Sequence, residues 1–159
     1  MFAKVALLGI GLIGSSLAQA MRRAGLAAHI AGFARHHEAL EKARSLGFAD
    51  TLHDTPAPAV RDANLVILAT PVGAFGEIAK EIQSHLKPGA ILSDVGSVKM
   101  AVIRDVSPFV PNGVHFIPAH PIAGTEQSGP DAGFAELFDG RWCILTPPAG
   151  TDEASVAIL

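Results

Sequence analysis

The chain has one cysteine, Cys143, among its 159 residues. A lone thiol cannot close an internal disulfide, so a reducing, cytoplasmic setting fits. Inside Arg141-Trp142-Cys143-Ile144-Leu145, that thiol is expected to be a small buried hydrophobe. The sequence also lacks a dominant charge. Twelve Lys and Arg stand against fifteen Asp and Glu, a net charge of −3, with no run of either sign. That balance removes the electrostatic case for nucleic acid or an anionic membrane. The longest apolar stretches are broken by glycines and polar residues and are too short to span a bilayer. Met1-Phe2-Ala3-Lys4 lacks the charge-then-apolar layout of a secretory leader. No internal repeat, low-complexity tract or metal-ligand cluster is read. Pro147-Pro148-Ala149-Gly150 alone resembles a linker.

What is present is a chain 49% hydrophobic, long enough for one domain with its own core. Its apolar residues alternate between two periods. Phe2 to Leu8 reads as a buried strand ending at Gly9. Ile13, Leu17, Met21 and Ala24 recur at helical spacing, and Gly25 stops that helix. Strands are expected at Ala28–Ala34, Phe48–Leu52, Asn64–Ala69 and Ala90–Asp94, with another after Pro111-Asn112-Gly113. Helices are expected at Glu38–Leu46, along Phe75 to Leu86, at Lys99–Val106, and from about Thr151, with a weak helical turn at Pro56–Ala63. This alternation predicts an α/β fold: a doubly wound, mainly parallel sheet with helices on both faces.

In such a sheet, ligands bind at the carboxyl ends of the strands. "GIGLIG", Gly9 to Gly14, follows the first strand and opens the first helix. Gly9 permits a tight turn, Gly11 lets a pyrophosphate approach the backbone, and Gly14 lets helix and strand pack closely. Leu12 and Ile13 place their N–H groups at the helix N-terminus, which favours phosphate. This is a Rossmann-type dinucleotide site. An NAD site usually has Asp or Glu about 20 residues past the glycines. Ala34 stands there, followed by Arg35 and His36. The missing acid and the nearby guanidinium favour NADP over NAD, with Arg35 pairing the 2′-phosphate.

Three more strand ends point to the same crevice. Thr70-Pro71-Val72 ends the strongest strand, and Thr70 either lines the nicotinamide pocket or caps a helix. Ser97, in Asp94-Val95-Gly96-Ser97-Val98-Lys99, offers a hydroxyl or caps the next helix, and Lys99 reads as a solvated first-turn lysine. "AHPIAGTEQSG", Ala119 to Gly129, places many hydrogen-bonding side chains in one loop after a strand. It also holds His120, a residue type that commonly serves as a general base.

"GIGLIGSSLA", "ATPV", "DVGSVK" and "HPIAGTEQSG", in this order, resemble the prephenate/arogenate dehydrogenase family of tyrosine biosynthesis across essentially the whole chain. The resemblance implies that His120 is the catalytic base, that Ser97 assists at the same substrate hydroxyl, and that Thr125 and Glu126 line the pocket mouth. It implies oxidative decarboxylation of prephenate or arogenate with NAD(P). It also implies a helical dimerisation domain after the dinucleotide domain, and hence a homodimer. That domain is absent from residues 1–159, and a last sheet strand is expected to be missing with it. Two other readings stay open. One is a two-domain dehydrogenase of the β-hydroxyacid type, which leaves "HPIAGTE" unexplained. The other is a non-catalytic NAD(P)-sensing module, which needs no proton acceptor at the nicotinamide end.

Overall fold

The computed structural model describes Met1 to Leu159. Strands β1 (Phe2–Leu8), β2 (Ala27–Phe33), β3 (Thr51–His53), β4 (Leu65–Leu68), β5 (Ile91–Asp94) and β6 (His115–Ile117) form one sheet in the order β3-β2-β1-β4-β5-β6. Every pair in it is parallel. This is the doubly wound order 3-2-1-4-5-6 of dinucleotide-binding domains.

Both faces of the sheet are covered, which is why its strands read as unbroken apolar runs. In β1, Val5 and Leu7 join one core with Ile30, Leu65, Ile67, Ile91 and Ile117, under α1 (Leu12–Arg23) and α2 (His37–Leu46). Ala6 and Leu8 join the opposite core with Phe33, Val66, Leu68 and Leu92. That core lies under α3 (Pro56–Val60), α4 (Phe75–Ile82) and α5 (Lys99–Val106). Alternate Cβ atoms of a strand point to opposite faces, so four successive residues of β1 feed two cores. On the α1 face, an apolar cavity of about 780 Å³ lies among Leu17, Met21, Ile67, Ile91, Trp142 and Leu159.

The helix ends follow the sequence signals. Gly25 and Gly47 adopt positive φ just past α1 and α2, the left-handed turn that glycine makes without a Cβ penalty. The helical pattern from Phe75 to Leu86 tightens into a 3₁₀ turn after Ile82. A final helix, α6 (Glu153–Ile158), is capped by Asp152, whose carboxylate accepts the Ser155 N–H at 2.8 Å.

Two sequence expectations change here. The segment holding His120 is not loop throughout: Ala119–Pro121 forms β7, paired antiparallel with β8 (Cys143–Leu145). Three-residue strands, one ending in proline, carry no readable alternation, so only long-range pairing defines them. Cys143, expected to be buried, is exposed. Its strand has a single neighbour and stands outside the main sheet, so no second layer covers it.

No helix is long and apolar enough to cross a membrane.

Candidate active site

The parallel register lines up the carboxyl ends of four strands. Leu8 is level with Phe33 on one side and Leu68 on the other, and Leu68 is level with Asp94. The ladder runs on past the strands: Gly9 N–H donates to Phe33, Ala69 N–H to Leu8 and Val95 N–H to Leu68. The glycine turn, the Thr70 turn and the Ser97 turn therefore share one edge. The sheet order reverses there, between β1 and β4, which is where open α/β sheets bind their ligands.

The three glycines of the first turn have separate reasons. Gly9 has φ +113°, and a Cβ on it would lie 2.5 Å from Ala69 C. A Cβ on Gly14 would overlap the Gly9 carbonyl oxygen. A Cβ on Gly11 would meet nothing within 4 Å. The packing of the chain thus accounts for Gly9 and Gly14, while the space above Gly11 is open. Gly11 opens α1 without any side-chain cap, so the first N–H groups, those of Leu12, Ile13 and Gly14, face that space unpartnered. Leu12 is buried, so its N–H rather than its side chain is available.

Thr70 does not act as a helix cap. Its Oγ1 is buried and has no hydrogen-bond partner. The short helix after it takes no side-chain cap. An orphaned buried hydroxyl costs about 1–3 kcal/mol unless something satisfies it. Beside a turn with empty space above Gly11, a bound dinucleotide fits both vacancies. Pro71 and Val72 continue this wall. A Cβ on Gly96 would come 2.9 Å from Val72 Cγ2 and 3.0 Å from Asp94 Oδ2, so the turns after β4 and β5 are in close contact.

Ser97 is exposed, and α5 takes no cap from a side chain, which removes the helix-cap reading of Ser97. His120 is half-buried on β7, paired with Ile144. The link between their two segments is a buried ion pair that the sequence did not reveal. Asp94, 1% exposed, accepts the Gly96 N–H at 2.7 Å and the Ala119 N–H at 3.2 Å. Lys99 donates to Asp94 Oδ2 and, at 2.6 Å, to the Ala119 carbonyl. The expectation of a solvated Lys99 is thus corrected: its side chain is 14% exposed. A readable signal existed, since an Asp directly after a buried Ile-Leu-Ser run must be paired or neutral. Thr125 and Glu126 lie exposed beyond β7, with Thr125 Oγ1 accepting the Gln127 N–H at 3.2 Å.

At the far end of the edge, a cavity of about 380 Å³ lies among Arg35, His37, Arg44, His53 and Asp54. Arg35 is exposed and stands 3.7 Å from Glu77 on α4. Burial, then the nearby Lys4 charge, holds the His53 imidazole below its ordinary value, and Arg35 and Arg44 bring two guanidinium charges to the cavity. His36 precedes α2 and makes no cap with its side chain. Asp54 is a carboxylate that counting from the glycines did not find.

Sheet order, the glycine turn and the unpaired groups facing it define a Rossmann dinucleotide-binding domain of the dehydrogenase kind. Residues 17–159 match the family described as "Prephenate dehydrogenase, nucleotide-binding domain". The chain belongs to the prephenate dehydrogenase family. It is 40% identical over 158 residues to the cyclohexadienyl dehydrogenase of Zymomonas mobilis, covering 99% of this chain and 54% of that protein. It superposes with TM-score 0.90 and 32% identity on prephenate dehydrogenase from Aquifex aeolicus, solved with hydroxyphenyl propionate and NAD+. That match covers 99% of this chain and 55% of the other. Against Synechocystis arogenate dehydrogenase the TM-score is 0.87 at 33% identity, covering 97% and 53%. The chain spans about half the length of these relatives.

Proposed function

We propose that residues 1–159 form the dinucleotide-binding domain of an NAD(P)-dependent enzyme that oxidatively decarboxylates prephenate, arogenate or both. The product is 4-hydroxyphenylpyruvate or tyrosine, and the setting is cytoplasmic tyrosine biosynthesis. A further sheet strand and a helical dimerisation domain complete the protein as a homodimer. The observation that carries this reading is the meeting, at one sheet edge, of ligand-facing space at Gly11, the orphaned Thr70 hydroxyl and a histidine whose neighbouring peptide is pinned.

A bound nicotinamide supplies the hydride acceptor. Gly9, Gly11 and Gly14 shape the phosphate turn, the N–H groups of Leu12 and Ile13 face the phosphates, and Thr70, Pro71 and Val72 wall the nicotinamide end. His120 takes the proton of the substrate hydroxyl as hydride leaves the same carbon, and Ser97 holds that hydroxyl in line. Thr125 and Glu126 border the substrate at the pocket mouth. Loss of CO2 aromatises the ring and makes the step strongly downhill. General-base help of this kind contributes about 10²–10⁴ in rate.

NADP is the favoured cofactor, with Arg35 at the 2′-phosphate and His36 beside it. Arg44 in the same cavity supports this reading. Asp54, also in that cavity, favours NAD as the second reading, because a carboxylate accepts ribose hydroxyls and repels a 2′-phosphate.

The experiment is turnover by the full-length protein with prephenate, arogenate and simple β-hydroxyacids, beside its His120→Asn variant. The expected result is oxidation of the cyclohexadienes alone, with kcat lowered at least a hundredfold in the variant and cofactor affinity nearly unchanged. Activity on hydroxyacids only would move the protein to the other dehydrogenase class. Cofactor binding without any turnover would make it a sensing module.

A further inference from the structure

We infer that the buried Asp94–Lys99 pair is the positioning device of His120, acting through the backbone of Ala119. The inference rests on the function proposed for His120 and adds to it the means by which that side chain is aimed.

The β7–β8 hydrogen bonds set the argument. Ile122 N–H donates to Trp142, and Thr146 N–H donates to Pro118. With His120 level with Ile144, the ladder to β8 uses Pro118, His120 and Ile122. Alternation in an antiparallel pair then turns the N–H and C=O of Ala119 away from β8. No other strand pairs with β7 to receive them. Asp94 and Lys99 take that place: Asp94 Oδ1 accepts the Ala119 N–H, and Lys99 Nζ donates to the Ala119 carbonyl. Two side chains thus stand in for a neighbouring strand at one residue.

That residue directly precedes His120. The Ala119 carbonyl belongs to the peptide plane that also contains the His120 nitrogen, so holding it limits rotation about His120 φ. The other side of His120 is held by β8. Between the two grips, the direction of its Cα–Cβ bond is fixed without any contact to the imidazole itself. The same carboxylate accepts the Gly96 N–H, one residue before Ser97. A single buried group therefore sets the spacing between the segments that carry Ser97 and His120. Gly96 leaves room for this contact, since a Cβ there would lie 3.0 Å from Asp94 Oδ2. Each charge is buried with its partner, the condition under which a buried ion pair fixes geometry and removal of one member is damaging.

The test uses the full-length enzyme and three variants. Lys99→Met leaves Asp94 as an unpaired buried charge and risks misfolding. Asp94→Asn with Lys99→Met removes both charges and keeps the volume, so it reports on aim rather than on a stranded carboxylate. Lys99→Arg restores a cationic donor. The expected result for the double variant is native-like melting and cofactor Kd, kcat lowered tenfold or more, and a displaced acid limb in its pH–rate profile. Lys99→Arg should retain most of the parent kcat. A double variant with kcat within twofold of the parent would overturn the inference, as would one losing kcat and cofactor binding in proportion to folded protein. An inactive parent, or an active His120→Asn, would instead overturn the function proposed for His120, so the two failures are separable.

Discussion

Gly14 packs directly on Gly9, so closely that a Cβ on Gly14 would overlap the Gly9 carbonyl oxygen, whereas a Cβ on Gly11, between them in sequence, would touch nothing. Two glycines of one motif thus serve the packing of the fold, while the space above the third stays open. Gly14→Ala is expected to destabilise the chain by about 1–3 kcal/mol, as overpacking does, or to prevent folding. Gly11→Ala should leave Tm unchanged within about a degree yet weaken dinucleotide binding at least tenfold. Calorimetry with cofactor titration reads both. Unaltered binding by Gly11→Ala would mean that the space above it is not where the phosphates lie.

The NADP preference proposed above rests on Arg35. Arg35→Ala should weaken NADP binding by about ten- to a hundredfold, the worth of a charge-assisted contact of about 1.5–3 kcal/mol, and leave NAD nearly untouched. Equal losses for the two cofactors would point to general attraction. Tighter NAD than NADP binding by the parent, abolished in Asp54→Ala, would assign the ribose to Asp54 instead.

The segment following β7 and its loop lies along α1. Phe134 N–H donates to the buried Ser16 hydroxyl at 3.1 Å, and Gln19 Nε2 donates to the Gly133 carbonyl at 2.9 Å. Further on, Arg23 pairs with Glu136 at 3.2 Å and Asp139 at 2.5 Å. Gly133 has no room for a side chain, because a Cβ would overlap Ser15 Oγ. Gly133→Ala should therefore lift this strap, lower Tm by roughly 2–4 °C per kcal/mol of strain, and open residues 122–142 to protease. Gly124→Ala, with open space around it, is the control and should shift stability by no more than about 0.5 kcal/mol. Equal cleavage of the two variants would contradict the packing argument.

A fourth expectation concerns acid. Asp50 accepts the Ile30 N–H at 2.6 Å and pairs with Arg22 at 2.5 Å, tying the end of α1 to β2. Burial pushes its carboxyl up, but the Arg22 and Ile30 hydrogen bonds outweigh this and hold it below the usual carboxylate range. A carboxylate depressed by folding stabilises above its unfolded value of about 3.9, and the gain is lost as pH falls through the lower folded value. Asp50→Asn should thus melt a few degrees below the parent at pH 7, with the gap closing below about pH 4. A Tm difference constant from pH 7 to 3.5 would show that ionisation of Asp50 is not what stabilises.

Much of this protein was fixed locally and could be read from order alone. The apolar runs of β1 and β4, the glycines after α1 and α2 and the start of α5 at Lys99 each depend on neighbours within a turn or a strand. The "GIGLIG" turn does too, so sequence specified the parallel sheet and its nucleotide edge. Arg35 and Thr70 follow β2 and β4 at that edge, because strand ends in a parallel sheet are level by register. What sequence could not give were relations spanning twenty or more residues. Lys99 looks solvated until Ala119, twenty positions on, is folded against it. β7 exists only because Cys143–Leu145 returns to pair with it, and Cys143 is exposed because nothing packs beyond that pair. Asp54 enters the adenosine-end cavity through the pairing of β3 with β2, not through any spacing from the glycines. Periodicity records which face of an element is buried, since burial is felt residue by residue. Which charged group meets which backbone atom depends on how the elements are stacked, and that was decided only when the two cores closed around the sheet.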